Sequence, residues 1–424
     1  MSIRLVRSLM FACALAPGAL LAQARVAGER LGFASDRLAR IDSAFQRAVD
    51  RREIAGAVAL VLRGGQPVYE KAFGWADREA GRRMTTDAIF RIASQSKALT
   101  SVALMSLVEE GKVSLSDPVS RFIPAFDRTT VAMRGDTGVM VVPARRRITV
   151  ADLLTHTAGI SYGTDSLVAP RYAAKGLGPA AGYGWYTADK DEPICETMER
   201  LATLPFVSQP GERYVYGYNT DILGCVVERA AGKPLDAVIE ERITRPLDMK
   251  DTHFFLPPAK RARLAAVYAS SDGAVQRADD GPKGQGAYVD GPRRSFSGGA
   301  GLLSTARDYG RFLQMLLDGG KLGDARVLGP KTIALMTTNQ TGTLFSQGGE
   351  SFGLGFRILE RPGGLGRVES VGTYGWGGAY GSQYLVDPRE HLVLIYMVQL
   401  IPSRSDLGAR FPMLVYQALV ESSR

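Results

Sequence analysis

A serine hydroxyl and a lysine amine stand three residues apart at Ser94 and Lys97, in the run FRIASQSKALTSVALMSLVEEG from Phe90 to Gly111. On a helix, positions i and i+3 share a face, so the amine can reach the hydroxyl. A serine is a poor nucleophile until a neighbour takes its proton. A lysine can take it when partly neutral, and both burial and a helix N-terminus push an amine that way. The same helix end, with the Ser94 N–H, favours the oxyanion formed after attack on a carbonyl. The competing reading is structural: a lysine that snorkels from an apolar helix to solvent. Ser-x-x-Lys alone arises by chance in most chains of this length. Here no other Lys has a Ser three residues before it, and the motif sits where the extended segment IFRIA enters a strongly apolar helix.

Two more groups fit carbonyl chemistry. PGERYVYGYNTDILG places Tyr216 in a Pro/Gly-bounded loop just before a helix, where a phenol could relay protons between Ser94, a leaving group and water. GWGGAYGSQYLV places Trp376, Gly377 and Gly378 at the start of a strand, where glycines let a substrate approach the backbone. The plain alternatives are a packing tyrosine and a Gly-rich bulge. Gly159-Ile160-Ser161-Tyr162-Gly163 fits the spacing of a nucleophile elbow, but that motif needs a strand before it and a helix after it. Here a helix precedes and a loop follows. None of His156, His253 and His391 stands in a context that suits a Ser-His-Asp triad. Ser161 is therefore read as a decoy.

These groups must be positioned by a larger frame. Ser35–Asp50 reads as an amphipathic helix with Leu38, Ile41, Phe45 and Val49 on one stripe and Ser35 as N-cap. Two β-rich runs follow, 57–62 and 68–73, around the turn RGGQ. Near the C-terminus, GSQYLVDPREHLVLIYMVQL holds two strands around Asp387-Pro388-Arg389, and a closing helix is expected over 412–420. Between Ser94 and about Gly291 the pattern is helices and long loops. One helix opens at Thr149 with Asp152 three residues on, close to a capping box, and stops at Gly159. Another spans about 220–231 and ends at Gly232. The expected fold is α+β: one antiparallel sheet built from both chain ends, flanked by terminal helices, with a helical lobe inserted. The boundaries expected are a signal peptide over 1–24 and a single domain over 25–424. Its sheet lobe is 25–93 with 298–424, and its helical lobe is 94–297. A cleft between lobes is the usual place for a small-molecule site.

Taken together, FRIASQSK, ITVADLLTHTAGI, PGERYVYGYNTDILG, SGGAGLLSTARDYGRFLQMLL, FGLGFRI and WGGAYGSQYLVDP resemble the serine β-lactamase and penicillin-binding-protein superfamily, most closely its family VIII carboxylesterases, which are class C β-lactamase-like. They occur in that family's order over nearly the whole mature chain. The resemblance implies an α/β sandwich of the β-lactamase/transpeptidase type and a serine hydrolase with no cofactor. Ser94 matches the acylated nucleophile and Lys97 its partner. Tyr216 matches the tyrosine of the second box, acting with Lys97 as general base, with Tyr218 the alternative. Trp376, Gly377 and Gly378 match the third box, and Ala379 supplies a second oxyanion N–H beside that of Ser94. Lactamases and transpeptidases carry a Lys in the third box that helps hold a substrate carboxylate. Trp376 replaces that cation with an apolar ring, so short uncharged esters are expected as substrates, with weak β-lactam turnover. A class C-like β-lactamase, a D-amino-acid peptidase or amidase, an acyltransferase and a penicillin-recognising binding protein of little turnover share the same nucleophile.

Bulk properties bound the rest. The 424 residues, 45% hydrophobic and 22% charged, have ordinary globular composition. Arg4 and Arg7, an apolar run broken by Pro17-Gly18, and Ala22-Gln23-Ala24 read as an export signal, so a periplasmic or secreted protein is expected, without stable membrane insertion. Cys195 and Cys225 remain, and sequence leaves open whether they pair. Neither has metal-ligand spacing, and no metal is expected. Formal charge is +9, or +7 without Arg4 and Arg7, and the basic residues are dispersed apart from Arg145-Arg146-Arg147. That run reads as a solvated face, not a nucleic-acid site. The expected partner is a small-molecule ester or amide, and oligomeric state is not legible.

Overall fold

Alternation with period two at both chain ends builds the main sheet. In the strand Gly56–Arg63 (β1), Ala57, Ala59 and Val61 are buried on one face, and Val58 and Leu60 on the other. The strand Leu392–Val398 beside it follows suit: Leu392, Leu394, Tyr396 and Val398 face one core, and Val393, Ile395 and Met397 the other. The two pair antiparallel in the register Ala57↔Val398 to Arg63↔Leu392. The remaining strands are Gln66–Asp77 (β2), Arg82–Arg83 (β3), Glu350–Phe352 (β4), Arg357–Leu359 (β5), Tyr374–Gly377 (β6) and Gln383–Asp387 (β7), with Leu392–Val398 as β8. The sheet order is β4-β5-β6-β7-β8-β1-β2-β3, every pair antiparallel, so the N- and C-terminal parts of the chain meet at β1 and β8. This computed structural model describes residues 28–423 except 137, 178–185, 272–273, 282–283, 347 and 363–365. The segment read as an export signal lies outside the described residues.

Helices cover both faces. Ser35–Asp50 (α1) brings Leu38, Ile41 and Phe45 onto one face. The last helix, Leu407–Tyr416, brings Leu407, Phe411 and Val415 there too, at a spacing of four. Burial of each such large side chain contributes roughly 1.5–3 kcal/mol relative to exposure. That apolar stripe corrects the expected start at Pro412: the helix begins five residues earlier and carries Pro412 inside it. Ser35 is also not the cap. Ala34 takes that position and Ser35 Oγ donates to Glu29 instead.

On the other face lie Ser96–Glu109 (α2) and Ala306–Leu317. α2 is buried nearly all round, as its composition requires. Val150–Leu154 (α3) starts with the full Thr149/Asp152 capping box, but it stops at Leu154 rather than Gly159, because His156 adopts φ 56° and turns the chain away. Ile194–Ala202 (α4) and Asn219–Ala231 (α5) follow, joined by a Cys195–Cys225 disulfide with Cα atoms 5.1 Å apart. α5 ends at Gly232, whose φ of 67° makes it a left-handed cap. Ala306–Leu317 is α6 and Leu407–Tyr416 is α7.

The middle of the chain is not purely helices and loops. Thr130–Gly135 and Gly138–Pro143 form a ribbon, and Tyr268–Ser271 pairs with Ala274–Arg277. β-branched residues on either side of Gly135 and Gly138 explain the first, a hairpin signal that a search for helical periodicity passes over. Arg145, Arg146 and Arg147 at the foot of that ribbon pair with Glu212, Asp152 and Asp127 respectively.

Candidate active site

The nucleophile candidate sits at a forced turn. Phe90–Arg91 is a short strand paired with Leu303–Ser304, Ala93–Gln95 is a single 3-10 turn, and α2 starts at Ser96. Ala93, fully buried, adopts φ 44°, a conformation that costs a non-glycine residue about 1–3 kcal/mol. Packing by Val267, Ala278 and Tyr380 holds it there. Ser94 thus lies in the first helical turn, where a backbone N–H has no intrahelical acceptor. The end of β6 closes over this turn: a Cβ on Gly378 would lie 2.6 Å from the Ile92 carbonyl oxygen, so only glycine permits the approach.

Lys97, 3% exposed, directs its Nζ at three oxygens: Gly299 O at 2.7 Å, Tyr162 Oη at 3.0 Å and Ser94 Oγ at 3.2 Å. The carbonyl can only accept, so it always engages an N–H and fixes the amine's direction. The two hydroxyls can accept from the amine or donate to it, so they are the partners able to exchange a proton with it. Gly299 is itself anchored by Asp221, whose Oδ1 accepts from Gly299 N at 3.1 Å and from Ser297 Oγ. Burial raises the Asp221 carboxyl above its ordinary range, against the pull of Lys97 and those two bonds.

Ser94, Tyr162, Tyr216, Trp376, Gly377, Gly378 and Ala379 line one cavity of about 800 Å³, and Lys97 stands behind that lining, in contact with Ser94 and Tyr162. Trp376 and Gly377 end β6 rather than begin it. The ladder to β7 runs from Tyr374 to Gly377, and a turn closed by Gly378 N to Ser382 O at 2.7 Å then reverses the chain. Ala379 follows in that turn, and its N–H has no acceptor among the described residues. Tyr216 Oη accepts from Trp376 Nε1 at 3.1 Å, and its ring lies 4.8 Å from Lys97 Nζ. Because the indole N–H occupies one lone pair, the phenol hydrogen is directed elsewhere. Tyr218, 1% exposed, does not line the cavity. Its ring packs edge-on against Tyr162 at 4.9 Å, and the residue takes the N-cap position before α5.

The sequence reading missed Tyr162 and Asp221. Tyr162 belongs to the run dismissed with Ser161, and the structure separates the two. Ser161 is 6% exposed and its Oγ accepts from Gly163 N at 3.1 Å, whereas Tyr162 reaches the cavity and Lys97. Burial first, then the neighbouring Tyr216, Asp221 and Tyr218, holds the Tyr162 phenol well above its ordinary range, so it keeps its proton. It can relay a proton but does not serve as an anionic base. An aromatic residue beside a left-handed glycine after a capped helix was the available signal, and it is a weak one.

His156 packs instead of reacting. It is 1% exposed, with its ring 4.8 Å from that of Tyr216. Asn219 Nδ2 faces His156 Nδ1 at 2.9 Å and Val215 O at 3.1 Å, tying the Tyr216 loop to the α3 end. Burial, then the Lys97 charge, depresses His156 well below 6.5. The folded protein keeps this imidazole neutral, while the unfolded chain protonates it below about 6.5, so stability is lost as pH falls from that value. Denaturant titrations should show roughly 1 kcal/mol lost per pH unit from this group below that point, and His156→Gln should flatten the slope. His253, depressed to about 4 by burial, faces Lys260 at 3.1 Å and does not line this cavity.

Comparison with known proteins places the chain in context. A family described as Beta-lactamase matches residues 41–414. Esterase EstB of Burkholderia gladioli is 34% identical over 365 residues, covering 82% of this chain and 87% of EstB. Protein Rv1367c of Mycobacterium tuberculosis is 35% identical over 390 residues, covering 86% of this chain and 90% of its own. Among solved structures, EstCE1, described as a hydrolase with promiscuous acyltransferase activity, superposes with a TM-score of 0.76 at 28% identity, over 93% of this chain and all of EstCE1. Simvastatin synthase LovD of Aspergillus terreus superposes with a TM-score of 0.74 at 26% identity, over 90% of this chain and 98% of LovD.

Proposed function

The chain belongs to the Beta-lactamase family and is a serine hydrolase, and from that premise we propose that it cleaves short-chain, uncharged carboxylic esters through an acyl-enzyme on Ser94. The observation that carries the reading is the Lys97 amine, buried and held 3.2 Å from a Ser94 hydroxyl that borders a cavity. Ser94 Oγ attacks the ester carbonyl while its proton passes to the Lys97–Tyr216 pair, with Tyr162 in contact through its hydroxyl. The carbonyl oxygen becomes an oxyanion between the N–H groups of Ser94 and Ala379. Collapse breaks the C–O bond, and the departing alcohol takes the proton back. Water then repeats the sequence on the acyl carbon and frees Ser94.

Ester preference rests on what stands beside the nucleophile. Trp376 presents an indole whose N–H is spent on Tyr216, and among the described residues that line the cavity there is no lysine to hold a carboxylate. Arg367 and Arg357 also border the cavity. Arg367 pairs with Glu350 and with Glu369 at 3.2 Å, and Arg357 pairs across the sheet with Gly375, one residue before Trp376, so it stands on the opposite face from that ring. Glu350 takes Arg357 up at 3.4 Å. The name of the esterase relative supports the same substrate class. A panel of p-nitrophenyl acyl esters, amides and β-lactams should show fastest turnover for acetate to butyrate esters, with mass mapping placing the trapped acyl group on the Ser94 peptide. Ampicillin hydrolysis faster than butyrate-ester hydrolysis would overturn the preference.

Export belongs to this reading as well. The Cys195–Cys225 disulfide supports an oxidising compartment, and among the described residues no helix is long and apolar enough to cross a membrane. Cleavage after Ala24, read by N-terminal sequencing, is the corresponding result.

A further inference from the structure

A second cavity, of about 470 Å³, lies behind the strand that leads to Ser94 and shares no lining residue with the cavity above it. Arg82, Arg91, Arg261 and Arg277 all border it. Two of the four are neutralised. Arg261 meets Asp290 at 2.5 Å, and Arg277 meets Asp280 at 3.1 Å and Asp77 at 3.2 Å. Arg82 and Arg91 are not: among the described residues, neither has a carboxylate oxygen within the 4.0 Å of an ion pair.

Arg91 is the decisive group. It is 2% exposed. Its Nε donates to Gln285 O at 2.8 Å and its Nη1 to Ala265 O at 2.7 Å, while the guanidinium lies 5.3 Å from the Tyr288 ring. Nη2 has no acceptor among the described residues. Asp189 attracts it without a hydrogen bond. That carboxylate accepts from Ala287 N at 3.1 Å, leaves Oδ2 without a partner, and is raised by burial above its ordinary range. A buried cation hydrogen-bonded only to carbonyl oxygens, with the Asp189 carboxylate not bonded to it, is only partly compensated, and proteins normally pair such a charge directly. Arg82 donates to Leu264 O at 2.7 Å, and both unneutralised guanidiniums border the same cavity. A guanidinium fork matches carboxylate and phosphate oxygens.

We propose that this cavity binds a small oxyanion, a carboxylate or phosphate group, held by Arg82 and Arg91. Inorganic phosphate and, separately, citrate are titrated into the full-length protein, with sodium chloride at matched ionic strength as control. Calorimetry and the thermal midpoint are read together. The expected result is a saturable heat and a midpoint that rises to a plateau, with the tighter of the two anions naming the group. Arg82→Ala, a partly exposed position off the packed core, should weaken that binding at least about tenfold, the loss of one charge-assisted fork. A rise without saturation, equal in wild type and Arg82→Ala, is the signature of anion exclusion from the surface and overturns the proposal. The absence of any heat with either anion overturns it too. Neither readout depends on ester turnover.

Discussion

Ser94→Ala is expected to lower ester turnover by at least about 10⁴-fold, while Ser161→Ala stays within about threefold of the wild type. The two serines are the nucleophile candidates that sequence spacing offers, and the structure gives them opposite surroundings. Ser94 has its hydroxyl beside a buried amine, its N–H in a first helical turn, and an open cavity in front. Ser161 is buried with its oxygen committed to Gly163 N, so its loss removes one hydrogen bond worth roughly 1 kcal/mol of stability and nothing else. Steady-state rates on p-nitrophenyl butyrate, with circular dichroism to confirm folding, check both. Equal losses in the two variants would mean that the covalent site has been misplaced.

The second large effect is on Lys97. Lys97→Met keeps the length and volume of the side chain but leaves the Ser94 hydroxyl without a base and the Gly299 carbonyl without its donor. A general base contributes about 10²–10⁴-fold, and a group that also fixes the nucleophile's direction belongs at the upper end, so kcat/KM should fall by about 10³–10⁴. The tyrosines then separate the roles. Tyr216→Phe should cost about 10²-fold, because it removes a phenol that borders the cavity and is oriented by Trp376. Tyr162→Phe should cost about tenfold, because it removes one relay contact to Lys97 while the Gly299 anchor remains. If Tyr162→Phe is the more damaging by an order of magnitude, the proton relay to Lys97 runs through Tyr162 rather than Tyr216.

What the sequence by itself determined are the features governed by neighbours along the chain. Ser94 and Lys97 meet because i and i+3 share a helical face. The Thr149/Asp152 box forms because its two partners are three residues apart. The hairpin around Asp387 closes because its carboxylate caps the N–H groups of Arg389 and Glu390, at 2.9 Å and 3.1 Å. Strand alternation at both chain ends gave the antiparallel sheet, and the order of the motifs gave the family. The tertiary structure alone decided the rest. Tyr162 and Gly299 reach Lys97 across 65 and 202 residues, and Asp221 grips Gly299 across 78. It chose Tyr216 over Tyr218 for the cavity wall, and it joined Cys195 to Cys225. Such contacts depend on how whole elements pack, and the same short run of residues is compatible with many packings. A spacing rule can therefore name the nucleophile and its lysine, but it cannot name the groups that hold them in register.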